Sequence, residues 1–220
     1  MKLNNMTKIL ICLGLLIILI IVGISATRTS LPKTLGASTT PAGFDESKFI
    51  LNDSHKITSG SAKITVIHFL DYESEASQIV YPAFKQMLKE YPDQVNYVIR
   101  QFPTHRNSIP AAKAAEAAGE QGKYWEMHDA LFDNQAEWSE SEDPQTDNFV
   151  RYAKSIGLDE DKFKKSLLSN DYQDKLTSER NSAIDLGANN LPTVYVNGAK
   201  YTGVFRYEDL KKILDAELAK

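Results

Sequence analysis

The chain has 220 residues, 42% hydrophobic, with 25 basic and 29 acidic side chains and a formal net charge of −4. This length supports one or two small domains, each with its own core. The acidic balance argues against nucleic acid as a partner, because phosphate binding needs a basic face. The single cysteine, Cys12, excludes an intramolecular disulfide and a cysteine-based metal cluster.

Lys2, Lys8 and Arg28 are the only charges in the first 28 residues. Between them, Ile9 to Ala26 is an uncharged apolar run of 18 residues. That is long for the apolar region of a signal peptide and long enough for a membrane-spanning helix. Ile24-Ser25-Ala26 is also a poor cleavage site, because Ile is not small. Residues 1–28 are therefore expected to be a transmembrane signal anchor, with Lys2 and Lys8 holding the N-terminus inside and the rest of the chain outside. The alternative is a cleaved signal peptide and a secreted domain. Cys12 reads as a membrane-embedded apolar residue. Residues 29–50 are rich in Thr, Ser, Pro and Gly and read as a flexible linker, in which Phe44, Phe49 and Ile50 begin to pack.

The folded part is expected from residue 51 to 220. Lys63 to Leu70 reads as a buried strand interrupted by His68, which is expected to be a hydrogen-bonded structural residue. Ser77 to Tyr91 follows as a helix with Val80, Phe84, Met87 and Leu88 at helical spacing, and Val95 to Phe102 as a second strand. Strand, helix and strand of these lengths fit a right-handed βαβ unit. Ile109 to about Trp138 reads as helical and alanine-rich, with Pro110 in its first turn. Within it, Trp125, Met127, His128, Leu131 and Phe132 read as core. Ser139 to Asp147 reads as a solvated acidic loop. Helices are expected over Thr146–Gly157, Asp159–Leu168 and Tyr172–Leu186, giving about four helices between core strands. Thr193–Val196 and Lys200–Thr202 form a hairpin through Asn197-Gly198. An amphipathic helix from Tyr207 to Ala219 closes the chain. His55 is assigned a turn or surface role.

Several segments together carry a family resemblance. Phe69-Leu70-Asp71-Tyr72-Glu73-Ser74-Glu75-Ala76-Ser77 is a strand, an Asp-Tyr pair and a turn that opens a helix. Pro103-Thr104-His105, the run Ala111 to Asp129 and Leu131-Phe132-Asp133-Asn134-Gln135 follow. Leu191-Pro192-Thr193-Val194-Tyr195-Val196-Asn197-Gly198 completes the set. From about Asn52 to Lys220 the chain resembles the DsbA-like thioredoxin-fold family of extracytoplasmic thiol–disulfide oxidoreductases. The resemblance implies an α/β thioredoxin-like fold with an inserted α-helical subdomain at about residues 107–187. It also implies a lead-in strand near Ser54–Gly60 and a cis proline, Pro192, facing the redox turn.

Where that family carries Cys-x-x-Cys at the helix start, this chain has Ser74 and Ser77. A hydroxyl cannot replace a thiolate in disulfide exchange, so no catalytic residue is expected there. Ser74 instead suits a helix N-cap and Ser77 an early-turn hydroxyl. Ser74 also lacks the Gly-x-Ser-x-Gly elbow of a hydrolase. The histidines are too scattered for a metal site, and no cofactor is expected. Tyr72, Glu75, Leu191 and Pro192 are the candidates for a peptide groove. The resemblance implies an extended peptide or an envelope protein as partner, in a chaperone, scaffold or accessory role. Two alternatives stay open at this stage. One is a disulfide-pathway enzyme working with a partner's cysteines, and the other is a purely structural envelope component.

Overall fold

The computed structural model describes residues 44–220. The expected membrane segment and most of the expected linker lie outside those residues. Among the described residues no helix is long and apolar enough to cross a membrane.

The order of elements is α1 (Glu46–Phe49), β1 (Lys56–Ile57), β2 (Ile64–Leu70), α2 (Glu75–Glu90), β3 (Val95–Gln101), α3 (Ser108–Gly119), α4 (Tyr124–Asp133), α5 (Gln135–Trp138), α6 (Thr146–Ser155), α7 (Glu160–Leu168), α8 (Gln173–Asp185), β4 (Thr193–Val196), β5 (Ala199–Thr202) and α9 (Tyr207–Leu218). The strands form one sheet in the order β1-β3-β2-β4-β5. β2 runs parallel to β3 and antiparallel to β4. The fold is a mixed α/β sheet with a block of helices between β3 and β4.

β2 is central and covered on both faces, which explains its nearly continuous apolar run. Its side chains alternate between two cores. Ile64, Val66 and Leu70 join Val80, Phe84 and Met87 of α2 and Leu210 and Leu214 of α9. Ile67 and Phe69 face the other way, onto Phe49, Val98, Ala183 and Tyr195. His68 points to the α2 side. Its ring stacks on Phe84 at 4.0 Å, and its Nδ1 lies 2.8 Å from the Tyr97 hydroxyl.

The second core reaches into the expected linker, at the residues expected to begin packing there. Phe44 packs on Phe49 at 4.7 Å, and Phe49 packs on Tyr195 at the same distance. Arg100, fully buried on this face of β3, donates from Nη1 to the Phe49 carbonyl at 2.6 Å and from Nη2 to Ser182 Oγ at 2.8 Å. Its Nε lies 3.6 Å from Glu179 Oε2, which also accepts the Gln101 N–H at 2.7 Å. This buried pair fastens α8 and the α1 segment to β3.

The long helix expected over Ile109–Trp138 is broken into α3, α4 and α5. The chain turns at Gly122, whose φ of +74° is left-handed and suits glycine. Six helices, not four, separate β3 from β4. In α3, Ala111, Ala112, Ala114, Ala115, Ala117 and Ala118 are all buried. Small side chains on several faces let α4, α6, α7 and α8 pack closely around it. His55 is not a turn or surface residue. Its Nε2 bonds Glu116 Oε2 at 3.0 Å, and its ring stacks on Tyr124 at 3.4 Å. The lead-in strand β1 is thereby tied to α3 and α4. Asn197 and Gly198, with φ of 46° and 85°, form the expected left-handed turn between β4 and β5.

Burial holds both core histidines neutral. It lowers His128 from 6.5 to about 3 and lowers His68 as well. The unfolded chain takes up these protons first, so their contribution is complete above pH 6.5 and, for His128, is lost as the pH falls toward 3. At pH 5 the loss from His128 alone is about 2 kcal/mol. Urea unfolding between pH 7 and pH 5 should show this loss, and a His128→Asn variant should show a flatter profile.

Candidate functional site

Three loops meet at one end of the sheet. β2 and β3 are parallel, so the turn after Leu70 and the segment after Gln101 emerge on the same side. In the antiparallel pair of β2 with β4, Phe69 sits opposite Thr193, so Pro192 enters β4 beside the end of β2. The Leu191–Pro192 bond is cis.

The turn itself follows from its side chains. Ser74 is the N-cap of α2, with extended backbone, and its Oγ accepts the Ser77 N–H at 3.3 Å. Ser77 is fully buried, and its Oγ accepts the Asp71 N–H at 3.3 Å. Both serines are therefore occupied in holding the start of the helix. Glu75 follows on the surface in the first turn, where its charge favours the helix dipole.

Two buried carboxylates lock this turn to its neighbours. Asp71 Oδ1 accepts the Glu73 N–H at 2.9 Å. Its Oδ2 accepts the Thr104 N–H and the Thr104 hydroxyl, each at 2.8 Å, and lies 2.7 Å from His105 Nδ1. Glu73 has no cation within 4 Å among the described residues. Its Oε1 accepts the Glu140 N–H at 2.9 Å and Asn107 Nδ2 at 3.1 Å, and its Oε2 accepts the Asn107 N–H. Asn107 is the N-cap of α3, so the carboxylate sits at the positive end of that helix. Asn107 Nδ2 also reaches the Ser141 carbonyl at 3.0 Å. From α5, Gln135 Nε2 donates to the carbonyls of Tyr72 at 2.7 Å and Ser74 at 3.2 Å. The helical block is fastened directly to the turn.

The six candidate residues do not share one role. Glu75 is exposed, Leu191 is half-buried against the Phe49 cluster, and Pro192, Ser74 and Ser77 are buried. Tyr72 is a correction. Its side chain is buried in the core and cannot line an open groove. Its hydroxyl lies 3.0 Å from His128 Nδ1 and donates to the Tyr124 hydroxyl at 3.3 Å. Gln101 Nε2 also donates to the Tyr124 hydroxyl, at 2.9 Å. Burial raises the Tyr72 and Tyr124 hydroxyls well above their usual range, so both stay protonated. Tyr72 supports the turn from beneath.

The arrangement offers little nucleophilic chemistry. Among the described residues no imidazole lies within hydrogen-bond distance of Ser74 Oγ, and His105 is directed by its Nδ1 to Asp71. No group of three or more His, Cys, Asp or Glu side chains that could hold a metal occurs among the described residues. Sequence reasoning missed Glu73 and Asn107 as the ties between turn and insert. Their signal was faint: a carboxylate immediately before an N-cap serine, and an asparagine immediately before a helix start.

The thioredoxin family profile matches residues 52–216. The chain belongs to that family. Its fold is DsbA-like. It is similar to α-DsbA1 of Wolbachia pipientis, with a TM-score of 0.71 at 18% identity, over 78% of this chain and 94% of that one. It also resembles the oxidised form of BdbD of Bacillus subtilis, with a TM-score of 0.63 at 20% identity, over 75% and 92% of the two chains. At these identities the likeness establishes the fold alone. Among curated relatives, the Na(+)/H(+) antiporter NhaA 3 of Salinispora tropica is 33% identical over 152 residues, covering 68% of this chain and 22% of that protein. NhaA of Herminiimonas arsenicoxydans is 26% identical over 155 residues, or 70% and 24% of the two chains. The thioredoxin-family chain thus spans about a quarter of the length of these curated relatives.

Replacing Glu73 by Ala should leave three N–H groups without their acceptor, at a cost on the order of 3 kcal/mol. Amide hydrogen exchange at Asn107 and Glu140 should accelerate more than at β2. Unchanged exchange at Glu140 would show that the insert loop does not depend on Glu73.

Proposed function

We propose that this protein is a redox-silent, DsbA-like peptide- or partner-binding module, tethered to a membrane on the extracytoplasmic side through its N-terminal apolar segment. One observation carries the reading. The turn keeps the strand-to-helix geometry, the N-cap and the neighbouring cis proline, while Ser74 and Ser77 replace the thiols that the chemistry needs. What the site still offers is recognition. The backbone N–H and C=O of Leu191 have no hydrogen-bond partner among the described residues, so an extended chain could pair with them as an added strand. Glu75 and the insert loop would border that chain. Chaperone, scaffold and accessory roles all use such a groove.

The curated relatives favour the accessory form. Proteins named Na(+)/H(+) antiporter carry a similar domain within a chain about four times as long. A domain of this kind, held at the membrane by its own segment, would be placed to dock on an integral membrane protein. A disulfide-pathway enzyme using a partner's cysteines is the alternative. It would show as thiol-dependent turnover that survives removal of Cys12.

The test has two parts. The full-length Cys12→Ser protein should show no turnover of a disulfide substrate, whereas Ser74→Cys combined with Ser77→Cys in that background should acquire dithiol oxidant activity. Turnover by the serine form would overturn the redox-silent reading. Photo-crosslinking from position 191 in native membranes should capture a recurrent partner, identified by mass spectrometry. No capture there, with capture from an exposed position on α7, would favour a structural component instead.

A further inference from the structure

We propose that the groove selects extended peptides that carry basic side chains beside an apolar one. The inference rests on the peptide-binding reading and names its substrate class. Its basis is the composition of the rim that the fold assembles around the Ser74 turn.

Glu75 and Ile79 are one helical turn apart on α2, so they share a face. Both are exposed, and Ile79 is 43% accessible despite being a large aliphatic residue. An isoleucine left in water one turn after the site's N-cap offers an apolar contact, and a carboxylate stands next to it.

The second border is the segment between α5 and α6. Glu140, Glu142 and Asp143 are all exposed there. The loop is brought to the site by the bonds of Glu140 N–H to Glu73 and of Asn107 Nδ2 to the Ser141 carbonyl. Glu140 adopts a left-handed φ of 58°, a costly conformation for a residue with a Cβ. The bond to Glu73 helps to hold it.

These charges are not neutralised within the fold. Among the described residues Glu75, Glu140 and Asp143 have no ion-pair partner within 4 Å, and Glu142 meets only Arg106, at 4.0 Å between two exposed side chains. The other charged groups at the turn and the loop are Asp71, Glu73, His105, Arg106, Arg151, which pairs with Glu137 at 2.5 Å, and Arg180, whose guanidinium lies 5.8 Å from the Phe102 ring. The first two are buried carboxylates, and His105 is committed to Asp71. Carboxylates therefore outnumber cations at the turn and the loop borders. An extended peptide places alternate side chains on one face, roughly 7 Å apart. Lysine or arginine at such positions would meet the acidic rim, and an apolar side chain on the same face, two residues from a lysine, would meet Ile79. An acidic peptide would be repelled.

The experiment compares two fluorescein-labelled nonapeptides with the full-length chain in non-ionic detergent, by fluorescence anisotropy. One alternates lysine with threonine around a central leucine, and the other has glutamate in place of every lysine. At about 10 mM salt, where charges act over roughly 30 Å, the lysine peptide should bind at least tenfold more tightly. Its advantage should shrink at about 150 mM. The triple variant Glu75→Lys, Glu142→Lys, Asp143→Lys should abolish or reverse the preference. A control of the same net charge, Asp161→Lys, Asp174→Lys, Glu208→Lys, should keep it. Ile79→Ser should weaken binding of the lysine peptide by several-fold in both salts. All these positions except Ile79 are exposed charged residues, and circular dichroism would verify folding. Equal affinity for the two peptides would overturn the selectivity and leave the peptide-binding reading standing. A preference kept by the rim variant, or lost equally in the control, would place the attraction elsewhere and also overturn it. Binding of neither peptide would remove the peptide-binding reading together with this inference.

Discussion

A carboxylate taken out of water must find either a cation or a full set of hydrogen-bond donors, and this constraint organises the site. Asp71 and Glu73 flank Tyr72 at the end of the central strand, and both are buried. Asp71 satisfies itself with the turn's own backbone and with Thr104 and His105 after β3. Glu73 reaches the cap of α3 and the loop after α5. The two side chains on either side of Tyr72 therefore reach two pieces of chain distant in sequence, residues 104–107 and the loop at Glu140. The geometry of the turn follows from satisfying those charges, and it owes nothing to a disulfide.

That arrangement explains how the turn keeps its shape with serines at both positions. Ser74 and Ser77 each accept one backbone N–H and complete the helix start, which a thiol would do less well. Support continues beneath, where Tyr72, Tyr124, His128 and Gln101 form a buried hydrogen-bonded set. On the opposite face of the sheet, Arg100 and Glu179 fix α8, and Arg100 grips the Phe49 carbonyl. Leu191 packs against that same aromatic cluster. The Ser74 turn and the Leu191 loop thus rest on two separate polar anchors, one above the sheet and one below it.

The regular elements were legible because their signals are local. β2, β3, the β4–β5 hairpin and the last helix are marked by apolar period and by Asn197-Gly198, and they formed where expected. The alanine-rich stretch misled because alanine favours helix everywhere and carries no face. Only the left-handed residue at Gly122 reveals the break. Tyr72 was placed in the groove by its position in the motif. A strand end alternates faces, however, and its ring turned inward onto His128. His55 looked like a lone surface histidine because its partners, Glu116 and Tyr124, lie far along the chain.

By itself the sequence determined the family, the order of the core strands, and the absence of thiols at the turn. Those properties are written in residue type and short spacing. Tertiary structure alone decided which polar residues hold the site together. Asp71, Glu73, Asn107 and Gln135 are ordinary polar residues in a string and become ties only when their loops converge. The same holds for the rim: Glu75 belongs to α2 and Glu140 to the distant insert, and the bond from Glu140 to Glu73 brings them to one site. Hydrogen bonds and charge act through space at a few ångströms, and no local pattern in the chain records which segments will meet.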